Sequence, residues 1–223
     1  MTEGNPLHSR KSLAGRDTDS DTEYSSHGGF PDFAIIEPSA GFARFVSAMR
    51  RLQDLAVSAA PEESTWDVAA DRAEELVELL ANYTAAEGVA PAGRAPSLPG
   101  MGSLLLPPWR VTRFEPEGVS MKGYFSRFYV GGNAAVHGGV LPLLFDWTFG
   151  MLVHAANRPI SRTAFLHVDY RKVTPIDTPL LVHGRINEAQ GRKAFVGAEL
   201  TELDGTVLAE ATGLMVRLLP GQP

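Results

Sequence analysis

The chain has 223 residues, 44% of them hydrophobic, with a formal net charge of −6 and no cysteine. That is enough apolar material for a core, and the acidic balance argues against nucleic acid or an anionic lipid surface as partner. The missing cysteine excludes disulfide frameworks, thiolate zinc sites, iron–sulfur ligation and cysteine nucleophiles together. No stretch has the roughly 20 apolar residues of a membrane-spanning helix, and the N-terminus lacks the apolar segment of a secretory signal, so a cytoplasmic protein is expected.

Residues 1–35 are polar and rich in Ser, Asp, Thr and Gly. They carry too little apolar surface to offset the entropy of ordering them, so a disordered tail is expected; the acidic run from 17 to 23 speaks against a mitochondrial presequence. Residues 36–108 read as a helical extension followed by an arm. Phe42, Phe45, Val46, Met49, Leu52 and Ala56 recur at spacings of three and four and predict an amphipathic helix. Pro61 breaks the pattern. Ser64 with Asp67 resembles a capping box, and Trp66, Ala69, Ala73, Leu76, Leu80 and Tyr83 continue a second apolar stripe. The two helices read as a hairpin that serves packing. Residues 86–108 are dense in Pro, Gly and Ala, which predicts a linker or irregular arm.

A third unit spans 109–223, and there the pattern changes to strands. An early strand or hairpin is expected near 111–130. Ala164, Leu166, Val168 and Tyr170 alternate with Phe165, His167, Asp169 and Arg171, which predicts a strand with one buried face. Leu180, Val182, Gly184 and Ile186 alternate again, as do Ala194, Val196, Ala198 and Leu200. Asp204-Gly205 predicts a tight turn with two positive-φ positions before a last long strand at 207–219.

Between the early and late strands, residues 137–157 predict a helix. Gly138 and Gly139 allow a sharp entry, Pro142 sits in the first turn or so, and Asn157 and Pro159 end it. Its apolar residues cover every side, so it is expected to be buried. One carboxylate, Asp146, interrupts it. An ionised group in such surroundings is costly unless paired. Asp146 is therefore either one half of a structural ion pair or a catalytic base or nucleophile. The second reading is favoured because Gly138 and Gly139 offer backbone N–H groups at the positive end of the helix dipole, where a carbonyl oxygen gaining charge can be held. Gly138 and Asp146 are eight residues apart, roughly 12 Å along a regular helix. That spacing alone does not say whether one substrate meets both.

VHGGVLPLLFD, then WTFGML, then TAFLHVDYRKVTP resembles the hotdog-fold acyl-CoA thioesterases, in particular the long-chain members of the PaaI-like branch. The resemblance covers about residues 110–219. It implies an α+β hotdog fold, a curved antiparallel sheet around a long central helix, active as a homodimer or dimer of dimers. It implies an acyl-CoA substrate, hydrolysed to free acid and coenzyme A without metal or cofactor. By the same resemblance the Gly138 N–H forms an oxyanion hole and Asp146 attacks the thioester or activates water. Thr163, from the neighbouring subunit, helps place that water, and His137 lies near the thioester. Many enzymes of the branch carry Asn where this chain has Gly131, which leaves Asn133, two residues on, as a loop residue or a substrate contact. His27-Gly28-Gly29 repeats the tripeptide with no helix after it and is assigned no function.

Gly139 is expected beside the substrate with Gly138. Lys172, Arg192 and Lys193 lie near strand ends, as phosphate ligands for coenzyme A or as solvated surface charge. His154 and His167 read as ordinary helix and strand residues. No Gly-x-Ser-x-Gly elbow, P-loop or dinucleotide-binding glycine motif occurs. The rival readings are a hotdog enoyl-CoA hydratase or dehydratase and a non-catalytic acyl-CoA binding module.

Overall fold

Helix α3 (Val140–Ala155) lies across a six-stranded antiparallel sheet and touches all six strands in the computed structural model, which describes residues 34–219. The expected tail falls almost wholly outside those residues, as does His27-Gly28-Gly29. The sheet is built from β1 (Arg110–Glu115), β2 (Gly118–Gly123), β5 (Ser161–Tyr170), β6 (Leu180–Gln190), β7 (Lys193–Glu202) and β8 (Val207–Arg217), in the order β1-β2-β6-β7-β8-β5. A separate small hairpin, β3 (Val130–Gly132) and β4 (Ala135–Val136), precedes α3. This is the hotdog arrangement of a helix held in a wrapped sheet.

The core follows from two periodicities. Leu141, Leu144, Phe145, Thr148, Phe149, Leu152 and Val153 are buried along α3 at spacings of three and four. Alternate residues of the sheet meet them, among them Val119, Met121, Leu180, Val182, Val196, Leu200 and Met215. The helix comes close because two facing strand positions are glycines. A Cβ at Gly184 would stand 2.9 Å from both the Thr148 and Leu152 side chains, and one at Gly213 would stand 2.7 Å from the Phe149 ring.

Three strand expectations change in detail. Strand β5 is an edge strand, and none of its ten residues is fully buried; Leu166 and Val168 pack on the core while Phe165 stays 49% and Tyr170 55% exposed. Alternation identifies a strand but does not report how many neighbours cover it. Residues 124–129 leave the sheet, and 127–129 form a single 3-10 turn. At Asp204-Gly205 only the glycine has positive φ, because the connection is a four-residue loop in which the Asp204 carboxylate accepts the Thr206 N–H at 2.9 Å. That bond holds the Asp204 carboxyl below its ordinary pKa.

The N-terminal helices differ more. Helix α1 (Ala40–Ala56) starts at Ser39, whose hydroxyl accepts the Phe42 N–H, and buries only Val46. Helix α2 (Glu63–Ala81) begins one residue before Ser64, so the capping box does not form; Glu62 takes the cap position and its carboxylate accepts the Thr65 hydroxyl. None of its residues is fully buried: Val77 is 67% and Leu80 44% exposed. The packed hairpin expected from its stripe is therefore absent among the described residues. The arm is irregular but anchored. The Arg50 guanidinium on α1 converges on the carbonyls of Pro99, Ser103 and Leu106 at 2.6–3.1 Å, and Asp54 accepts the Phe128 N–H. No described helix is long and apolar enough to cross a membrane.

Replacing Arg50 by Ala removes the donor that gathers three half-buried carbonyls. The expected loss is about 2 kcal/mol, or roughly 4–8 °C in melting temperature for a chain of this size. Calorimetric melting measures it directly; an unchanged transition would mean that the arm is held by its other contacts.

Candidate active site

The turn before α3 is held group by group. The His137 N–H bonds to the Tyr129 carbonyl at 2.8 Å, and the His137 carbonyl accepts the Val140 N–H at 2.9 Å. The Gly139 N–H donates to His137 Nδ1 at 3.1 Å. Since Nδ1 is an acceptor there, the neutral ring carries its proton on Nε2. The Tyr170 hydroxyl, from the end of β5, donates to the Gly138 carbonyl at 2.8 Å. The Gly138 N–H has no hydrogen-bond partner among the described residues. The expected pair of open donors is thus reduced to one, because Gly139 is occupied by His137.

Two neighbouring positions are explained by the same turn. A Cβ at Gly131 would lie 2.7 Å from His137 Cα, so β3 passes too close there for a side chain without a shift of the backbone. Asn133 and Ala134 have φ of 49° and 56° and form the tight turn between β3 and β4. Asn tolerates that left-handed backbone better than most residues, which accounts for the residue type at 133 without a substrate contact.

Asp146 is exposed, not buried. It shares the face of α3 away from the sheet with Gly150 and His154, flanked by the partly covered Leu143, Trp147 and Met151. A helix that is apolar all round is here packed on one side only. Thr163 Oγ1 donates to Asp146 Oδ1 at 2.6 Å within the same chain, the short distance of a hydroxyl bonded to a carboxylate. The contact lies within one chain, whereas the resemblance implied a Thr163 supplied by the neighbouring subunit.

A cavity of about 430 Å³ opens beside Gly138, lined among others by Val136, Leu141, Tyr170, Lys172 and Thr174. The Thr174 hydroxyl is buried there with no protein partner. Lys172 is the one expected cation at this site. Arg192 donates from Nε and Nη2 to the Arg217 carbonyl, and Lys193 pairs in the ladder with Val216. Both lie at the far end of β8 from Leu208, whose carbonyl accepts the Lys172 N–H. That separation is about 30 Å at 3.3 Å per residue, so the three cations do not converge within one chain. Tyr170 and Thr174 were not identified from sequence as site residues; Tyr170 reads there as one more member of an alternating strand, and a lone Thr carries no signal. No group of three or more His, Asp or Glu is placed to hold a metal among the described residues.

Residues 133–209 match the family model of the thioesterase superfamily. It is 35% identical to acyl-coenzyme A thioesterase THEM4 of Rattus norvegicus over 89 residues, which is 40% of this chain and 38% of the relative. The mouse (Mus musculus) protein of the same name is 33% identical over the same shares. The matched region thus spans well under half the length of these curated relatives. The crystal structure of the thioesterase superfamily protein RHA08564 superposes with a TM-score of 0.71 at 24% identity, covering 82% of this chain and 98% of that one.

Gly131→Ala tests the close approach on which the turn depends. The added methyl must displace the His137 backbone, at an expected cost of about 1–3 kcal/mol, read by thermal melting together with a shifted His137 ring resonance by NMR. A variant with native melting and an unshifted ring would show that β3 has room there.

Proposed function

We propose that the protein hydrolyses acyl-CoA thioesters to a free acid and coenzyme A, in a site completed by a second copy of the chain. The observation that carries this reading is a carboxylate held by a hydroxyl, Asp146 with Thr163, on the same helix whose entry leaves one N–H, that of Gly138, open. Acyl transfer needs those two parts: a base or nucleophile, and a donor where negative charge develops on the carbonyl oxygen. Asp146 takes a proton from water, or attacks the thioester carbon itself. The carbonyl oxygen becomes anionic against Gly138 N–H as the water oxygen or the Asp146 carboxylate bonds to the carbonyl carbon, and collapse of the tetrahedral intermediate breaks the C–S bond and releases the coenzyme A thiolate. On the water route this gives the free acid and the proton taken by Asp146 passes to the thiolate; on the direct route water then cleaves the Asp146–acyl anhydride, freeing the acid and restoring the carboxylate. Lys172 at the cavity rim suits the coenzyme's phosphates. The names of the relatives support the choice of acyl-CoA.

The homodimer, or dimer of dimers, rests on distance and on uncovered surface. Gly138 lies two residues before α3 and Asp146 is the seventh residue within it; continued as regular helix that spacing is roughly 12 Å, and no contact among the described residues joins the two, which favours pairing between copies. The outer face of α3, with Asp146 and Gly150, and the open edge of β5, with Phe165, are left uncovered in one chain. An edge strand and an apolar face of this kind favour association. A second copy set antiparallel brings its Asp146–Thr163 pair to the first copy's Gly138. We assign the protein to the cytoplasm on its cysteine-free composition.

Asp146→Asn keeps the shape of the side chain and removes the charge. Thiol release from a panel of acyl-CoAs of increasing chain length should fall at least about a hundredfold in the folded variant. Activity within threefold of the parent would end this assignment. Hydration of enoyl-CoA without thiol release would favour the hydratase, and tight acyl-CoA binding without turnover a binding module.

Subunit mixing separates the two arrangements of a shared site. Asp146→Asn mixed with Thr163→Ala should stay at the average of its parents, because both residues serve the same half-site. Mixed with Gly138→Pro, which deletes the donor N–H, it should rise above that average, since one site of each mixed dimer is then intact. Rescue in the first mixture, or none in the second after verified exchange, contradicts the pairing described here.

A further inference from the structure

We propose that Tyr170 is a positioning residue for the oxyanion donor, an inference that rests on the thioesterase reading above. A peptide group is rigid and planar, so the Gly138 carbonyl and the Gly139 N–H move together. Both ends of that plane are held: the oxygen by the Tyr170 hydroxyl at 2.8 Å, the N–H by His137 Nδ1 at 3.1 Å. The preceding plane, which carries the Gly138 N–H, is held at its oxygen by Val140 at 2.9 Å. Its N–H has no hydrogen-bond partner among the described residues. Two consecutive glycines without side chains would otherwise rotate with little resistance. A donor fixed before the substrate arrives needs no reorganisation when charge develops, and that is where such a donor gains its strength.

Strand β5 thereby serves both halves of the chemistry. Thr163 near its start holds the Asp146 carboxylate, and Tyr170 at its end holds the peptide beside Gly138. The Tyr170 ring lies against Gly138: a Cβ there would stand 3.7 Å from the hydroxyl oxygen and 3.9 Å from two ring carbons. Its backbone is fixed independently by pairing with Ala209 of β8. The ring is about half exposed, so the core does not depend on the hydroxyl.

Tyr170→Phe removes that hydroxyl alone. Losing an oxyanion donor outright costs about 10²–10³ in kcat, so loosening one is expected to cost roughly tenfold, with KM within twofold and melting unchanged. A structural role would lower the melting temperature and leave the kcat-to-KM split alone. Two readouts follow the peptide itself. The Gly139 amide should exchange faster with solvent in Tyr170→Phe. In an Asp146→Asn background, the carbonyl stretch of a bound acyl thioester should move to higher frequency when Tyr170→Phe is added. Unchanged kcat, or unchanged Gly139 exchange, overturns the positioning role. A parent protein that cleaves no thioester in the panel, with Gly139 exchange still altered by Tyr170→Phe, overturns the thioesterase reading and the catalytic part of this inference with it.

Discussion

The contact of α3 with Gly184 and Gly213 is the constraint on which the remaining architecture depends. Without side chains at those points the helix settles close to the strands, near enough for Thr148, Phe149 and Leu152 to fill the space a Cβ would take. Close seating lets one helix reach all six strands at once. It also divides the helix. The side toward the sheet is packed with Leu, Phe and Val, at about 1.5–3 kcal/mol for each large side chain removed from water. The opposite side, with Asp146 on it, is left to whatever comes from outside the chain. The exposed site is therefore a result of how completely the other face is used.

The turn into α3 shows the same economy at smaller scale. His137, Gly138 and Gly139 contribute few atoms, yet nearly every polar group among them has a designated partner: Tyr129, Val140, Tyr170, or the His137 ring itself. Gly131 lets β3 pass against His137 closely enough to supply the first of these. A turn with most of its groups engaged leaves the Gly138 N–H held in place but unpaired.

The central helix, the late meander and the His-Gly-Gly entry were readable because each is written in local pattern: threefold and fourfold apolar spacing, strict alternation, glycines at a helix start. What failed was what depends on neighbours. The alternation of residues 164–171 is real, but β5 lies at the sheet edge, so its apolar side is only half covered. The stripe from Trp66 to Leu80 lies on the expected helix α2, yet of it only Leu76 is half-buried. All-round apolar α3 implied a buried Asp146 because composition does not distinguish a side packed by its own sheet from one left open. Thr163 meets Asp146 inside one chain because β5 returns alongside the helix it follows, a matter of topology that the residues do not encode locally. Tyr170 was hidden for a different reason: its ring belongs to the strand pattern, and only its hydroxyl belongs to the site.

The Thr163 hydrogen bond also makes the two oxygens of Asp146 inequivalent. Oδ1 is engaged by a hydroxyl at 2.6 Å, whereas Oδ2 has no protein partner among the described residues. The Thr163 hydroxyl occupies the near side of Oδ1 and covers it from an incoming group. Oδ2 is left as the open atom, with the plane of the carboxylate set by its twin. In this way a single threonine fixes which edge of the carboxylate faces outward from the helix.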